Sequence, residues 1–205
     1  KNDPNQTRIL DYCDYIRDVD PYDHHIVLHS YPYQQDEVYD PLLGEVNGLS
    51  GVSIQTNWNN VHSDTKRWIE DSKATGHIWV VANDEQGPFQ TAVPPDDGFE
   101  GFNQGGNGGP SQDDIRRGTL WGNLMAGGAG VEYYFGYTLP HSDLSCRDWR
   151  SRDQMWDYTR YALQFFETIP FWEMEEADNL VSGGWGFAKE GEYYVAYFTN
   201  ASNAG

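Results

Sequence analysis

Apolar positions recur along this chain at two alternating spacings. Ile9, Cys13, Ile16 and Val19 fall on one helical face, with Asp11, Asp14 and Asp18 turned outward, the pattern of an amphipathic helix. Asp3-Pro4 supplies an N-cap and a proline at the first helical position, and Pro21 ends the helix. His25 to His29 is then a short apolar run bounded by polar residues, as expected of a strand buried on both faces. The theme repeats. Gly51 to Trp58 reads as a second strand, Ser63 caps a helix through Trp68 and Ile69 that stops at Gly76, and His77 to Ala82 reads as a third strand. A helix from Ser111 to Gly127 precedes a fourth strand, Gly130 to Phe135. Ser151 with Gln154 is a capping-box pattern opening a helix through Met155, Tyr158, Ala162, Phe165 and Ile169, which Pro170 ends.

Alternating helices and near-continuous apolar strands predict a parallel sheet with helical crossovers, an α/β fold. Four strands make either half of an eightfold barrel or a small open doubly wound sheet. The segments after the strands are long and those after the helices short, the distribution of a barrel whose function sits on the loops following the strands. Gln86 to Pro110 is the longest of these loops and is rich in Gly and Pro, and loops of that size in compact domains are usually functional. The expected architecture is therefore the C-terminal half, strands 5–8, of a TIM (β/α)8 barrel. Beyond Pro170, Trp185 to Ala188 and Glu192 to Thr199 flank Glu190-Gly191 as a hairpin. Residues 1–172 are read as half of a catalytic barrel and 173–205 as the beginning of a truncated all-β sandwich domain.

Charge narrows the classes of function. The chain has 205 residues, with 32 Asp+Glu against 13 Lys+Arg and a net charge of −19. That excess repels phosphate backbones, so no nucleic-acid partner is expected. Aromatic residues at 15% argue for a folded core and against an acidic disordered tail. No apolar run approaches the roughly 20 residues of a spanning helix, so no membrane insertion is expected. Neither a signal peptide nor an initiator Met is visible, and the chain reads as a segment of something longer. Cys13 sits on the apolar face of the first helix as a buried inert thiol; whether it pairs with Cys146 is open. Acidity and aromatic richness point to an extracellular or periplasmic protein.

Candidate chemistry gathers at strand ends. The third strand runs into Asn83-Asp84-Glu85, where barrel enzymes keep catalytic groups. Simple alternation places Asn83 and Glu85 on one face and Asp84 on the other. Such a pair is either a solvated strand end or the ionised carboxylate that glycosidic hydrolysis needs. Glu132 lies inside an apolar strand and so points either into a polar active-site floor or to a salt-bridge partner among Arg116, Arg117, Arg147 and Arg150. Tyr134 shares its side. Tyr31, Trp58 and Tyr137 are strand-end rings suited to sugar faces, or simply to packing, and His29 could bond a hydroxyl or cap backbone groups. No zinc motif, nucleophile elbow or phosphate loop is present, so no metal and no cofactor is expected. Asp96-Asp97-Gly98-Phe99-Glu100 lacks the spacing of a calcium loop and reads as a solvated acidic turn.

Arg117-x-x-Leu120-Trp121-Gly122-Asn123-Leu124-Met125-Ala126-Gly127-Gly128-Ala129-Gly130-Val131-Glu132-Tyr133-Tyr134-Phe135-Gly136-Tyr137 resembles the last helix–strand unit of a bacterial glycoside-hydrolase-like barrel family. That family carries a C-terminal β-domain named for collagen binding and is related to apiosidase-type enzymes and, more distantly, to the retaining clan of cellulases and β-galactosidases. Val80 to Glu85 resembles its strand-seven motif, and Arg17 to Tyr22 with His25 to Pro32 resembles its fourth-helix, fifth-strand segment. The likeness covers nearly the whole chain. It implies Glu85 as the nucleophile of a retaining, secreted polysaccharide-degrading hydrolase. His29, Tyr31, Trp58, Asn83, Asp84, Glu132 and Tyr134 would hold a carbohydrate substrate, and the general acid would lie upstream of Lys1. A non-catalytic carbohydrate-binding protein on a degenerate barrel is the alternative, and a structural or adhesive surface protein the third reading.

Overall fold

The computed structural model describes residues 5–45, 48–87, 93–102, 109–138, 141–142, 144–145 and 148–200. The Asp3-Pro4 helix start, Cys146, Arg147 and most of the Gly105 to Gly109 stretch lie outside the described residues. The chain forms a mixed α/β structure with one parallel and one antiparallel sheet.

Helix α1 (Gln6–Val19) is capped by Asn5, whose side chain accepts from the Arg8 N–H at 3.1 Å. Ile9 and Cys13, one turn apart, are buried, but Ile16 and Val19 are exposed, so only half of the predicted apolar stripe finds a partner. Burial raises the Cys13 thiol above its ordinary value. Strands β1 (Val27–Ser30), β2 (Gly51–Thr56) and β3 (Val80–Gln86) are parallel and adjacent in chain order. Short helix α2 (Gln35–Tyr39) joins the first two, and α3 (Val61–Ala74) joins the second and third. Asn60, not Ser63, stands at the cap of α3; the Ser63 hydroxyl instead donates to the Asn60 carbonyl inside the first turn.

The helix-facing side of the sheet is the principal core. Val52, Ile54 and Val81 meet Tyr39, Leu42, Trp68 and Trp79 there. The Trp68 indole N–H donates to Gln35 Oε1 at 2.8 Å, so a large ring is buried with its one polar atom satisfied. Gly51 is needed where β2 passes β3, because a Cβ there would stand 1.9 Å from the Val80 carbonyl oxygen.

The predicted helix from Ser111 to Gly127 follows one path in three hydrogen-bond registers. Ser111 and Asp114 form a capping box at α4 (Gln112–Asp114), a π-helical turn covers Ile115–Leu120, and α5 (Trp121–Met125) completes it. The predicted fourth strand is reduced to a single parallel bridge, Asn83 to Val131. Its reason lies in Gln86, whose side-chain amide takes over where backbone pairing stops. Gln86 Nε2 donates to the Glu132 carbonyl at 2.9 Å, and the Tyr134 N–H donates to Gln86 Oε1 at 2.7 Å.

Helix α6 (Asp153–Phe166) does not begin with the predicted Ser151–Gln154 box. Ser151 is buried in a preceding 3₁₀ turn, and the Gln154 N–H donates to Asp96, a residue far back in the chain. The antiparallel sheet, β4 (Glu175–Glu176), β5 (Trp185–Lys189) and β6 (Tyr193–Tyr197), contains the expected hairpin, with Gly191 at positive φ in its turn. It packs through Met174 and Phe187 onto Met125 and Phe166. No helix among the described residues is long and apolar enough to cross a membrane.

Candidate functional site

The site is made by an irregularity in β3. Ile54 of β2 pairs with Asn83, but the next residue, Gln55, pairs with Glu85. Asp84 is therefore the extra residue of a β-bulge, a device that re-aims side chains near sheet ends. Asp84 faces away from Asn83 as alternation predicts, but Glu85 departs from it and shares the face of Asp84. Asn83 is fully buried on the helix side, where its Nδ2 donates to the Ile54 carbonyl at 2.9 Å. Asp84 and Glu85 both reach His29 on the opposite face.

Four side chains converge there from three strands. The Asp84 carboxylate lies 2.7 Å from His29 Nδ1, and since a carboxylate only accepts, Nδ1 carries the proton. His29 Nε2 stands 3.6 Å from Glu85 Oε2, outside hydrogen-bond range, and is buried with no partner among the described residues. Gln55 Nε2 donates to Glu85 Oε1 at 2.7 Å. His29, Asp84 and Glu85 keep side-chain exposures of 21%, 24% and 16%, so all three are desolvated yet reachable. The Tyr39 hydroxyl lies buried behind them, donating to the Leu28 carbonyl; burial, and next the Asp84 charge, push it above its ordinary value.

Chemically, Glu85 is a carboxylate with one oxygen oriented by an amide and the other beside an imidazole. Such a group can attack carbon or accept a proton. Gln55 is the member that sequence reading missed. Its place opposite Glu85 depends on the bulge, and strict alternation would have paired Gln55 with Asp84.

The remaining candidate residues are spread over several elements. Tyr31 directly follows β1 and stacks on the exposed Tyr33, centroids 5.5 Å apart and planes 11° from parallel. Tyr134 meets Tyr137 edge-on at 5.7 Å. Trp58 is half-buried and packs with the cluster of Val93, Ile115 and Met155, against Gly118 of the π turn; nothing places it with His29 and Glu85. Glu132 is exposed, which corrects the expectation of a buried carboxylate. The ring side chains of Tyr133 and Phe135 fill the helix side, and alternation sends Glu132 and Tyr134 to the open face. Of the arginines offered as its partners, Arg116 and Arg117 pair with Asp113 and Asp114, and Arg150 pairs with Asp148.

The loops flanking the site are tied to α6 by Arg152. This fully buried guanidinium donates to the carbonyls of Val93 and His141 and lies 4.4 Å from the centre of the Phe135 ring. Asp96 is equally structural: besides capping α6 it accepts from Gln112 Nε2. No group of three or more His, Cys, Asp or Glu among the described residues is placed to hold a metal ion. No family model, curated protein or solved structure matches the chain.

Proposed function

We propose that this chain carries the nucleophile of a retaining glycoside hydrolase, with Glu85 in that role. The observation that carries the reading is the bulge, which places two carboxylates and a histidine together at the C-terminal end of a parallel sheet. In this reading β1, β2, β3 and residues 130–135 are strands five to eight of a (β/α)8 barrel, residues 1–172 belong to the catalytic half-barrel, and the antiparallel sheet opens an all-β domain.

Glu85 Oε attacks the anomeric carbon and forms a glycosyl ester while the bond to the leaving oxygen breaks. The leaving oxygen takes its proton from a general acid upstream of Lys1. Water, losing a proton to that same group, then attacks the anomeric carbon and releases Glu85 as carboxylate. Gln55 fixes the attacking carboxylate, and Asp84 fixes His29 against it. Tyr31, with Tyr33, offers a flat rim for the sugar. The same rim supports the alternative of a protein that holds saccharide without cleaving it.

The test is Glu85→Gln in the full-length protein. Turnover of oligosaccharide should fall by about 1,000-fold or more while binding stays within a few-fold, because the loss is confined to the transition state. A variant as active as wild type would remove Glu85 from the mechanism. A wild-type protein that binds saccharide and never cleaves it would favour the binding reading.

A further inference from the structure

A β-bulge puts the backbone beside it out of step with the neighbouring strand, and buried carbonyls need donors. Two side-chain amides supply donors here, from the helix side of the sheet. Asn83 Nδ2 donates to the Ile54 carbonyl at 2.9 Å and, across the bulge, to the Glu85 carbonyl at 3.4 Å. Its Oδ1 accepts from Gln86 Nε2 at 3.4 Å, which fixes the orientation of the amide. One residue further along β2, Gln35 Nε2 donates to the Gln55 carbonyl at 2.7 Å, while Gln35 Oε1 accepts from the Trp68 indole.

Gln35 and Asn83 are both buried, so what they meet is backbone and not a ligand. That backbone is the part of the sheet that aims Glu85. The register shifts between Ile54 and Gln55, and the shift brings Glu85 opposite Gln55. Gln35 holds the carbonyl of the same residue whose side chain donates to Glu85 Oε1 at 2.7 Å. We infer that Gln35 and Asn83 are positioning residues for Glu85: they hold the bulge that turns its carboxylate to the open face, and act on the reaction only through it. This deepens the preceding reading and rests on it, because it takes Glu85 as the nucleophile. Attack on carbon is steep in distance, and a misplacement of about 1 Å costs on the order of 100-fold in rate.

The experiment uses the full-length protein and dinitrophenyl glycosides of glucose, galactose, xylose and arabinose. Their leaving group departs without a proton, so its release reports attack by Glu85 and not the upstream acid. Single-turnover release separates the saturating rate from the concentration at half-saturation. Gln35→Met and Asn83→Leu each remove a donor at nearly constant volume. Each should lower the saturating rate by about 30- to 100-fold and leave half-saturation within about 2-fold. Trp68→Phe breaks the indole bond but keeps the Gln35 donor, and its rate should stay within about 3-fold of wild type. In a Glu85→Gln background neither donor variant should lower the residual rate by more than about 2-fold, since no carboxylate is left to aim; a merely structural loss would appear there as well. Rates within about 3-fold of wild type in Gln35→Met and Asn83→Leu would overturn the inference, as would equal losses with and without Glu85. If Asn83→Leu does not fold, Gln35→Met, which lies outside the sheet, decides alone. After either overturning result the glycosidase reading still stands, provided that Glu85→Gln abolishes release. Release unaffected by Glu85→Gln, or none from wild type, would instead remove the reading itself.

Discussion

The imidazole of His62 lies flat on the indole of Trp185, ring centroids 4.3 Å apart and planes 12° from parallel. Its Nδ1 is 2.9 Å from the Gly122 carbonyl and its Nε2 2.9 Å from Asp178 Oδ2. Both ring nitrogens thus face oxygen acceptors. One side chain of α3 thus joins α5 to the antiparallel sheet through two polar contacts and a ring stack.

Replacing His62 by Ala removes the stack and leaves the Asp178 carboxylate, three-quarters buried, without its main partner. The expected cost is about 2–3 kcal/mol, a fall in Tm of roughly 4–12 °C for a chain of this size. Thermal unfolding followed by Trp fluorescence measures it. A loss under about 0.5 kcal/mol would mean the joint is ornamental.

Acid should open the same joint. Burial pushes the Asp178 carboxyl up, but the bonds from His62 and from the Gly186 N–H outweigh it, so it titrates below its ordinary value of 3.8. A carboxyl lowered in the folded state contributes stability that is present above the unfolded value and lost as pH falls through the folded one. Stability should therefore decline below about pH 4, and Asp178→Asn should be less stable than wild type at neutral pH yet show a shallower acid limb. Urea titrations between pH 2 and 7 compare the two.

Asp96→Ala should cost about 1 kcal/mol by uncapping α6, whereas Gln154→Ala should change stability by less than about 0.5 kcal/mol. Chemical denaturation of the pair tests whether the cap is remote or local. The sequence favoured the local one, since Ser151 and Gln154 have the right spacing. A cap drawn from residues distant in the chain has no spacing to read.

Gln86→Leu removes a side-chain amide standing in for a strand. It should cost about 2–4 kcal/mol, because the Glu132 carbonyl and the Tyr134 N–H each lose a buried partner. Hydrogen exchange at the Tyr134 amide should accelerate toward that of an open loop. Unchanged protection there would show that backbone pairing alone holds residues 130–135.

Gly51→Ala and Gly76→Ala should separate two uses of glycine. At Gly51 the added Cβ meets the Val80 backbone within β3, and the sheet has to part, at about 3 kcal/mol or more. Gly76 has open space around it but φ of 85°, so Ala there meets only backbone strain, about 1 kcal/mol. Equilibrium unfolding of both variants checks the order.

The elements were largely legible, the site only partly so. Continuous apolar runs marked β1 to β3, helical spacing marked α1, α3 and α6, and Glu190-Gly191 marked the hairpin, because burial dictates each of these locally. Buried polar residues hid the rest. Asn83 and Gln86 read as the tail of a strand and its loop, yet they are core, bonded to backbone groups that no pattern reveals. The carboxylates at 84 and 85 stand at the strand end that position indicated, with Asp84 opposite Asn83 as alternation has it, but the facing of Glu85 was misjudged, since a bulge leaves no compositional trace. Glu132 misled in the opposite sense: an acid amid apolar residues suggests burial only when both sheet faces are covered, and its own face is open.

In genetic terms, the bulge in β3 is a single codon. Because Gln55 still pairs with Glu85 and Thr56 with Gln86, the residue that steps aside, Asp84, adds a carboxylate beside His29 without shifting the buried face on either side of it. A lineage could gain or lose the imidazole's acidic partner through one in-frame triplet, leaving the hydrophobic interior untouched. The scaffold is thereby open to change at the position where Asp84, Glu85 and His29 converge.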